Sequence, residues 1–103
     1  MVVWTDKIYF SENIKEKKRG KIRNKIENGK GPGDVFVVTS PTNPKTMFDI
    51  IPAKELFKRF YENDTVKIVG VAKGKDEACE LVRRMVEELY AKTGGFDPGG
   101  YFF

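Results

Sequence analysis

The chain contains no histidine and only one cysteine, Cys79. Histidine is the side chain that most often serves as a neutral-pH base or a metal ligand, and a single thiol builds neither an internal disulfide nor a thiolate metal cage. Most nucleophile–base pairs and metal-assisted sites are thereby removed from consideration, and no cofactor is implied. Long hydrophobic runs are missing too. Val35 to Val38 is among the longest, far short of the roughly 20 apolar residues a bilayer crossing needs. No positively charged stretch followed by an apolar run opens the sequence, so the expectation is a cytoplasmic protein that makes no use of a membrane.

What is present suffices for one folded unit. In 103 residues, 40% are apolar and 13% aromatic, enough to build a single core and too little chain for a second. Charge is abundant and unevenly placed. Residues 1–33 hold nine lysines and arginines against four acidic residues, whereas the remaining two thirds are close to neutral. The densest part is Lys15, Lys17, Lys18, Arg19, Lys21, Arg23 and Lys25, opposed locally by Glu16 and Glu27. Such a surface attracts phosphate or an acidic partner.

Hydrophobic patterning orders the chain. Val2-Val3-Trp4 and Lys7-Ile8-Tyr9-Phe10 are β-branched or aromatic, with Thr5-Asp6 between them as a turn, so a strand is predicted before residue 11. Ser11-Glu12 opens a helix over residues 12–28 that Gly29 stops, with a thin apolar face of Ile14, Ile22 and Ile26. Gly29, Gly31, Pro32 and Gly33 make the next stretch a loop, and Asp34 to Thr39 then reads as a strand buried on both faces. Ser40-Pro41-Thr42-Asn43-Pro44 breaks the chain, and Thr46 with Asp49 suits a short capped turn around Met47 and Phe48.

Pro52 is placed to start a second helix over residues 53–62, with Ala53, Leu56, Phe57, Phe60 and Tyr61 on one side, ended by a turn at Asn63-Asp64. Val66 to Ala72 is a further strand. From Asp76 to Lys92, Ala78, Leu81, Val82, Met85, Val86, Leu89 and Tyr90 form the broadest apolar stripe, with Asp76 and Glu77 at the positive helix end and Gly94 as the stop. Alternating strands and helices predict an α/β fold. The expected form is a single small domain, residues 1–93, with a three-stranded mainly parallel sheet and about three helices. The alternative is an α+β two-layer sandwich in which the N-terminal strand runs antiparallel.

Motif-like stretches point to chemistry with unequal force. Gly70-Val71-Ala72-Lys73-Gly74-Lys75-Asp76 is one residue short of a phosphate-binding loop and puts a carboxylate where that loop needs a hydroxyl for its metal. What remains is a helix start beside two lysines, a generic anion site. Gly29, Gly31 and Gly33 follow a helix and precede a strand, the reverse of the dinucleotide fingerprint, and read as a connector. In a parallel sheet the strand exits gather on one rim, which would bring together Ser11, Asn13, Thr39, Ser40, Thr42, Asn43, Lys73, Gly74 and Lys75 as a site for a small phosphorylated or carboxylated ligand. The bland reading makes the hydroxyls and amides turn formers and caps.

Lys17, Lys21 and Lys25 recur every four residues, a row roughly 6 Å apart that matches successive phosphates of a nucleic acid, although no base-reading signature accompanies them. Together with Lys18 they define the basic surface, which reads equally as a docking face for an acidic protein or as a solubilising face. Cys79 lies beside the apolar stripe and reads as a small, at least half-buried filler. The carboxylates of the last helix form no aligned acid–base set.

The final residues, 94–103, combine four glycines with the rings of Phe96, Tyr101, Phe102 and Phe103. Rings on so pliable a backbone are expected to pack either on their own domain or on a partner subunit. The combined expectation is a non-catalytic binding or protein-interaction module, compatible with a dimer. Nucleic-acid binding through the basic helix, and binding or turnover of a small phosphorylated ligand at the strand rim, are the alternatives.

Overall fold

The computed structural model describes residues 2–29, 33–43, 45–56 and 65–103. Its first strand, β1, runs Val2–Phe10 without the expected interruption. Thr5-Asp6 is instead part of a bulge: Trp4 pairs with Ile68 and Tyr9 with Gly70, so residues 5–8 face Val69 alone. The Thr5 hydroxyl pins this excursion, donating to the Lys7 carbonyl at 2.9 Å and lying 3.2 Å from that of Ile68.

The first helix, α1, spans Glu16–Glu27 and starts later than its sequence suggests. Residues 11–14 form a separate turn closed by the Ile14 amide on the Ser11 carbonyl, and Ile14 reaches the core from that turn. Strand β2 follows at Val35–Thr39. The chain then makes a strand the periodicity did not reveal, β3, at Asp49–Pro52, where only a short capped turn was expected. Four residues ending in proline carry little strand signal, and proline is tolerated there because β3 lies at a sheet edge.

Pro52 leads into a 3₁₀ turn at Ala53–Glu55, with Leu56 fully buried beyond it. The rest of the second helix expected over residues 53–62, and the turn at Asn63-Asp64, lie outside the described residues, as does most of the glycine-rich loop at 29–33. Strand β4, Val66–Lys73, and the closing helix α2, Lys75–Thr93, match their expected positions within two residues. Gly94 ends α2 in the left-handed conformation, φ 74°, donating its amide to the Tyr90 carbonyl.

The result is a single small α/β domain. Among the described residues it has two α-helices and a four-stranded mixed sheet in the order β1-β4-β2-β3. β1 pairs parallel with β4, which rules out the two-layer alternative with an antiparallel first strand. β2 runs antiparallel to both β4 and β3, which corrects the mainly parallel sheet. Parallel and antiparallel strands buried on both faces present the same apolar run, so burial alone does not encode direction.

Both faces are covered. On one, Ile22 and Ile26 of α1 pack with Val35, Val37, Ile51, Val66, Ile68 and Trp4. On the other, Ala78, Leu81, Met85 and Leu89 of α2 pack with Val38, Val69 and Ala72. Tyr90, grouped with that stripe in the sequence, is 54% exposed, and Cys79 is exposed rather than half-buried. Both lie on the flank of a helix whose buried residues are 78, 81, 85 and 89.

Candidate functional site

Because β2 is antiparallel, the expected rim is divided between the two ends of the sheet. At one end, Ser11, Asn13 and Lys73 meet where β1 and β4 finish. Ser11 is completely buried. Its hydroxyl donates to Asn13 Oδ1 at 2.6 Å and accepts the Lys73 amide at 3.1 Å, while Asn13 Nδ2 donates to the Lys73 carbonyl at 2.8 Å. These groups lock the β1–α1 turn onto β4. The Lys73 ammonium is 3.9 Å from Asp34, Gly74 donates its amide to the Asp34 carbonyl, and Lys75 begins α2 beside Asp76 and Glu77.

At the opposite end, Ser40 exchanges bonds with Lys67: its amide reaches the Lys67 carbonyl and its hydroxyl accepts the Lys67 amide at 3.0 Å. Thr42 donates both its amide and its hydroxyl to Asp49, and Asn43 Oδ1 accepts the Lys45 amide. Buried Thr39 donates to the Ser40 carbonyl. The structure therefore separates Ser40, Thr42 and Asn43 from Ser11, Lys73, Gly74 and Lys75, and these polar side chains largely serve turns, as residues of this type commonly do.

The basic helix divides its cations between two tasks. Arg19 lies over the Phe10 ring with its guanidinium carbon 4.8 Å from the centroid, and Arg23 covers Trp4 at 4.6 Å while pairing with Glu27 at 3.3 Å. Both arginines thus tie α1 to β1 by cation–π contact. Lys17, Lys18, Lys21 and Lys25 are exposed, and among the described residues none has an acidic partner within 4 Å.

The C-terminal segment folds back on its own domain. Phe102 is 8% exposed and packs edge-on against Tyr9, Phe48 and Tyr101 at 5.5, 5.5 and 4.9 Å. Phe103 tilts against Phe48, and exposed Phe96 stacks on Tyr90 at 5.0 Å. Glu88 joins this segment to the sheet by accepting the Tyr9 hydroxyl at 2.5 Å and the Tyr101 hydroxyl at 2.9 Å. The bond from Tyr9, aided by that from Tyr101, keeps the Glu88 carboxyl ionised below the usual glutamate range, against the opposing effect of burial. Burial first, and then the carboxylate, hold the Tyr9 phenol well above the ordinary tyrosine range. Tyr101 is raised chiefly by its bond to Glu88.

Between this segment and the first half of β1 opens a cleft of about 600 Å³. Val3 and Lys67, partners in register, form part of its wall, and the bulge contributes Asp6 and Lys7. Tyr101, Phe102 and Phe103 close the other side. The Lys67 ammonium donates to the Phe103 oxygen at 3.3 Å, and the Lys7 ammonium sits 4.6 Å from the Tyr9 centroid. The sequence reading singled out Tyr101, Phe102 and Phe103 but missed Lys7 and Lys67. A signal existed for Lys67, the one charged residue within the expected strand Val66 to Ala72. Lys7 depended on the bulge. Compared with models of protein families, with curated proteins and with solved structures, the chain matches none.

Proposed function

We propose that this chain is a non-catalytic binding module that docks an acidic protein surface on the solvent face of α1. One observation carries the reading: Lys17, Lys18, Lys21 and Lys25 stand exposed and outside every ion pair of the described residues, on a helix whose Ile22 and Ile26 are committed to the sheet. Four unneutralised cations on a rigid helix raise the encounter rate with an anionic surface and orient it, an effect that weakens with salt. Chemistry on a substrate has less support. Cys79, the one thiol, has no histidine in the chain to activate it.

An acidic protein is favoured over nucleic acid by the placement of the aromatic rings. Single-stranded nucleic acids are held by bases stacking on exposed rings beside a basic groove. The rings adjoining this helix, Trp4 and Phe10, are already covered by Arg23 and Arg19. The same contacts occupy the two guanidinium groups best suited to gripping phosphate.

Fluorescence anisotropy with a labelled glutamate-rich peptide and with random single-stranded DNA of equal charge tests the reading. The peptide binds at low salt, and Lys17→Glu/Lys21→Glu/Lys25→Glu abolishes its binding. No peptide binding at low salt, or binding indifferent to the triple reversal, defeats the proposal. Tighter, equally lysine-dependent binding of the DNA replaces the acidic protein with a nucleic acid.

A further inference from the structure

We propose that the cleft between β1 and the C-terminal segment is a binding site for a small aromatic ring carrying an anionic substituent. The site is separate from the α1 lysine face, and the two stand or fall independently. Its volume, about 600 Å³, lies within the range typical of small-molecule sites. Its walls divide by chemistry. Tyr101, 37% exposed, and Phe103 present ring surface, with Phe102 seated behind them in the core, and rings of this kind receive another ring edge-on or offset.

Two lysines, Lys7 and Lys67, share the lining with these rings. Neither has an Asp or Glu carboxylate within 4 Å among the described residues. Asp6 also borders the cleft, and Glu88 lies close enough to Lys7 to be stabilised by its charge, but that carboxylate is held by two phenols. Among the described residues the Lys67 ammonium is held by the Phe103 oxygen at 3.3 Å, a long bond that leaves its remaining donors for a carboxylate or phosphate oxygen at shorter, charge-assisted distance.

The bulge decides between a compact ligand and an extended peptide. An edge strand invites a peptide to lie alongside it, continuing the sheet. In β1, however, residues 5–8 depart from the ladder opposite Val69, so the outer edge of this strand offers no continuous line of amides and carbonyls. The same departure carries Asp6 and Lys7 to the rim of the cleft, an instance of a bulge re-aiming side chains at a sheet edge. A compact molecule that spans rings and ammonium groups satisfies this geometry, and a strand does not.

Amide NMR titration of the full chain with phenyl phosphate, and separately with inorganic phosphate and with phenol, tests the assignment. Phenyl phosphate shifts the amides of Val3, Lys7, Lys67, Phe102 and Phe103 saturably and binds about tenfold tighter than either half. Lys67→Gln, confirmed as folded by its thermal melt, weakens phenyl phosphate about tenfold and leaves the phenol shifts in place. If Lys67→Gln does not fold, Lys7→Gln, at an exposed position, serves in its place with the same expectation. The triple reversal Lys17→Glu/Lys21→Glu/Lys25→Glu leaves the titration unchanged. Phenyl phosphate binding no tighter than inorganic phosphate, shifts confined to α1, or affinity indifferent to the lysine substitution each overturns the proposal.

Discussion

Replacing Ser11 by alanine separates a structural role from a ligand-binding one. The Ser11 side chain is fully buried, and its single oxygen both donates to Asn13 and accepts from the Lys73 amide. Alanine fills nearly the same space but leaves the Lys73 N–H and Asn13 Oδ1 without this partner; Asn13 and Lys73 are themselves exposed, so water recovers part of the loss. The cost is about 1 kcal/mol. In a domain of this size that lowers the melting temperature by roughly 4–8 °C. Urea titration followed by far-UV circular dichroism measures the cost. Asn13→Ala, which removes the neighbouring bond to the Lys73 carbonyl as well, makes a double-mutant cycle with Ser11→Ala whose coupling is on the order of 1 kcal/mol. A Ser11→Ala protein within about 0.5 kcal/mol of the parent, or two substitutions that simply add, refutes the account of Ser11 as the lock between β1 and β4.

Other outcomes follow from specific contacts. A Cβ at Gly70 would sit 3.1 Å from Leu81 Cδ2 and 3.3 Å from Val38 Cβ, so Gly70→Ala lowers the denaturant midpoint, by about 1 kcal/mol of stability, although alanine ordinarily suits a strand better than glycine. The Glu88 carboxyl is depressed in the fold, so its contribution is complete above the ordinary value of 4.5 and is lost as the pH falls through the lower folded value. Tyr9 is raised, so its contribution is complete below the ordinary value of 10.0 and is lost as the pH climbs past it towards the folded value. Glu88→Gln flattens both limbs of the stability–pH profile; a difference from the parent that persists undiminished in acid contradicts the two-phenol arrangement. Cys79, being exposed, is alkylated by iodoacetamide under native conditions without prior unfolding, and protection until unfolding argues against its position on α2.

Local chemistry wrote several elements into the sequence plainly. The apolar stripe from Ala78 to Leu89, acidic residues at its start and Gly94 at its end identify α2, because a helix repeats every 3.6 residues and its ends carry opposite partial charge. Val35 to Val38 announces a strand buried on both faces, and Val66 to Ala72 a further strand. The concentration of lysine on α1 and of rings in the last residues is likewise a property of the chain alone. β3 was not legible, since Asp49–Pro52 is too short to establish an alternation. Neither was the exposure of Tyr90, which depended on which flank of α2 the sheet covered.

Composition and periodicity thus determined the class of fold, the two α-helices of the described residues, three of the strands and the basic helix face. Tertiary structure alone decided how the parts are brought together. An apolar strand reads identically in either direction, so only pairing revealed that β2 opposes β4 and that the polar groups expected on one rim belong to opposite ends of the sheet. The bulge opposite Val69, the seating of Phe102 against Tyr9 and Phe48, and the approach of Lys7 and Lys67 to the same cleft join residues as many as 93 positions apart in the chain. Contacts of that range arise from the packing of the whole domain, and no local pattern encodes them.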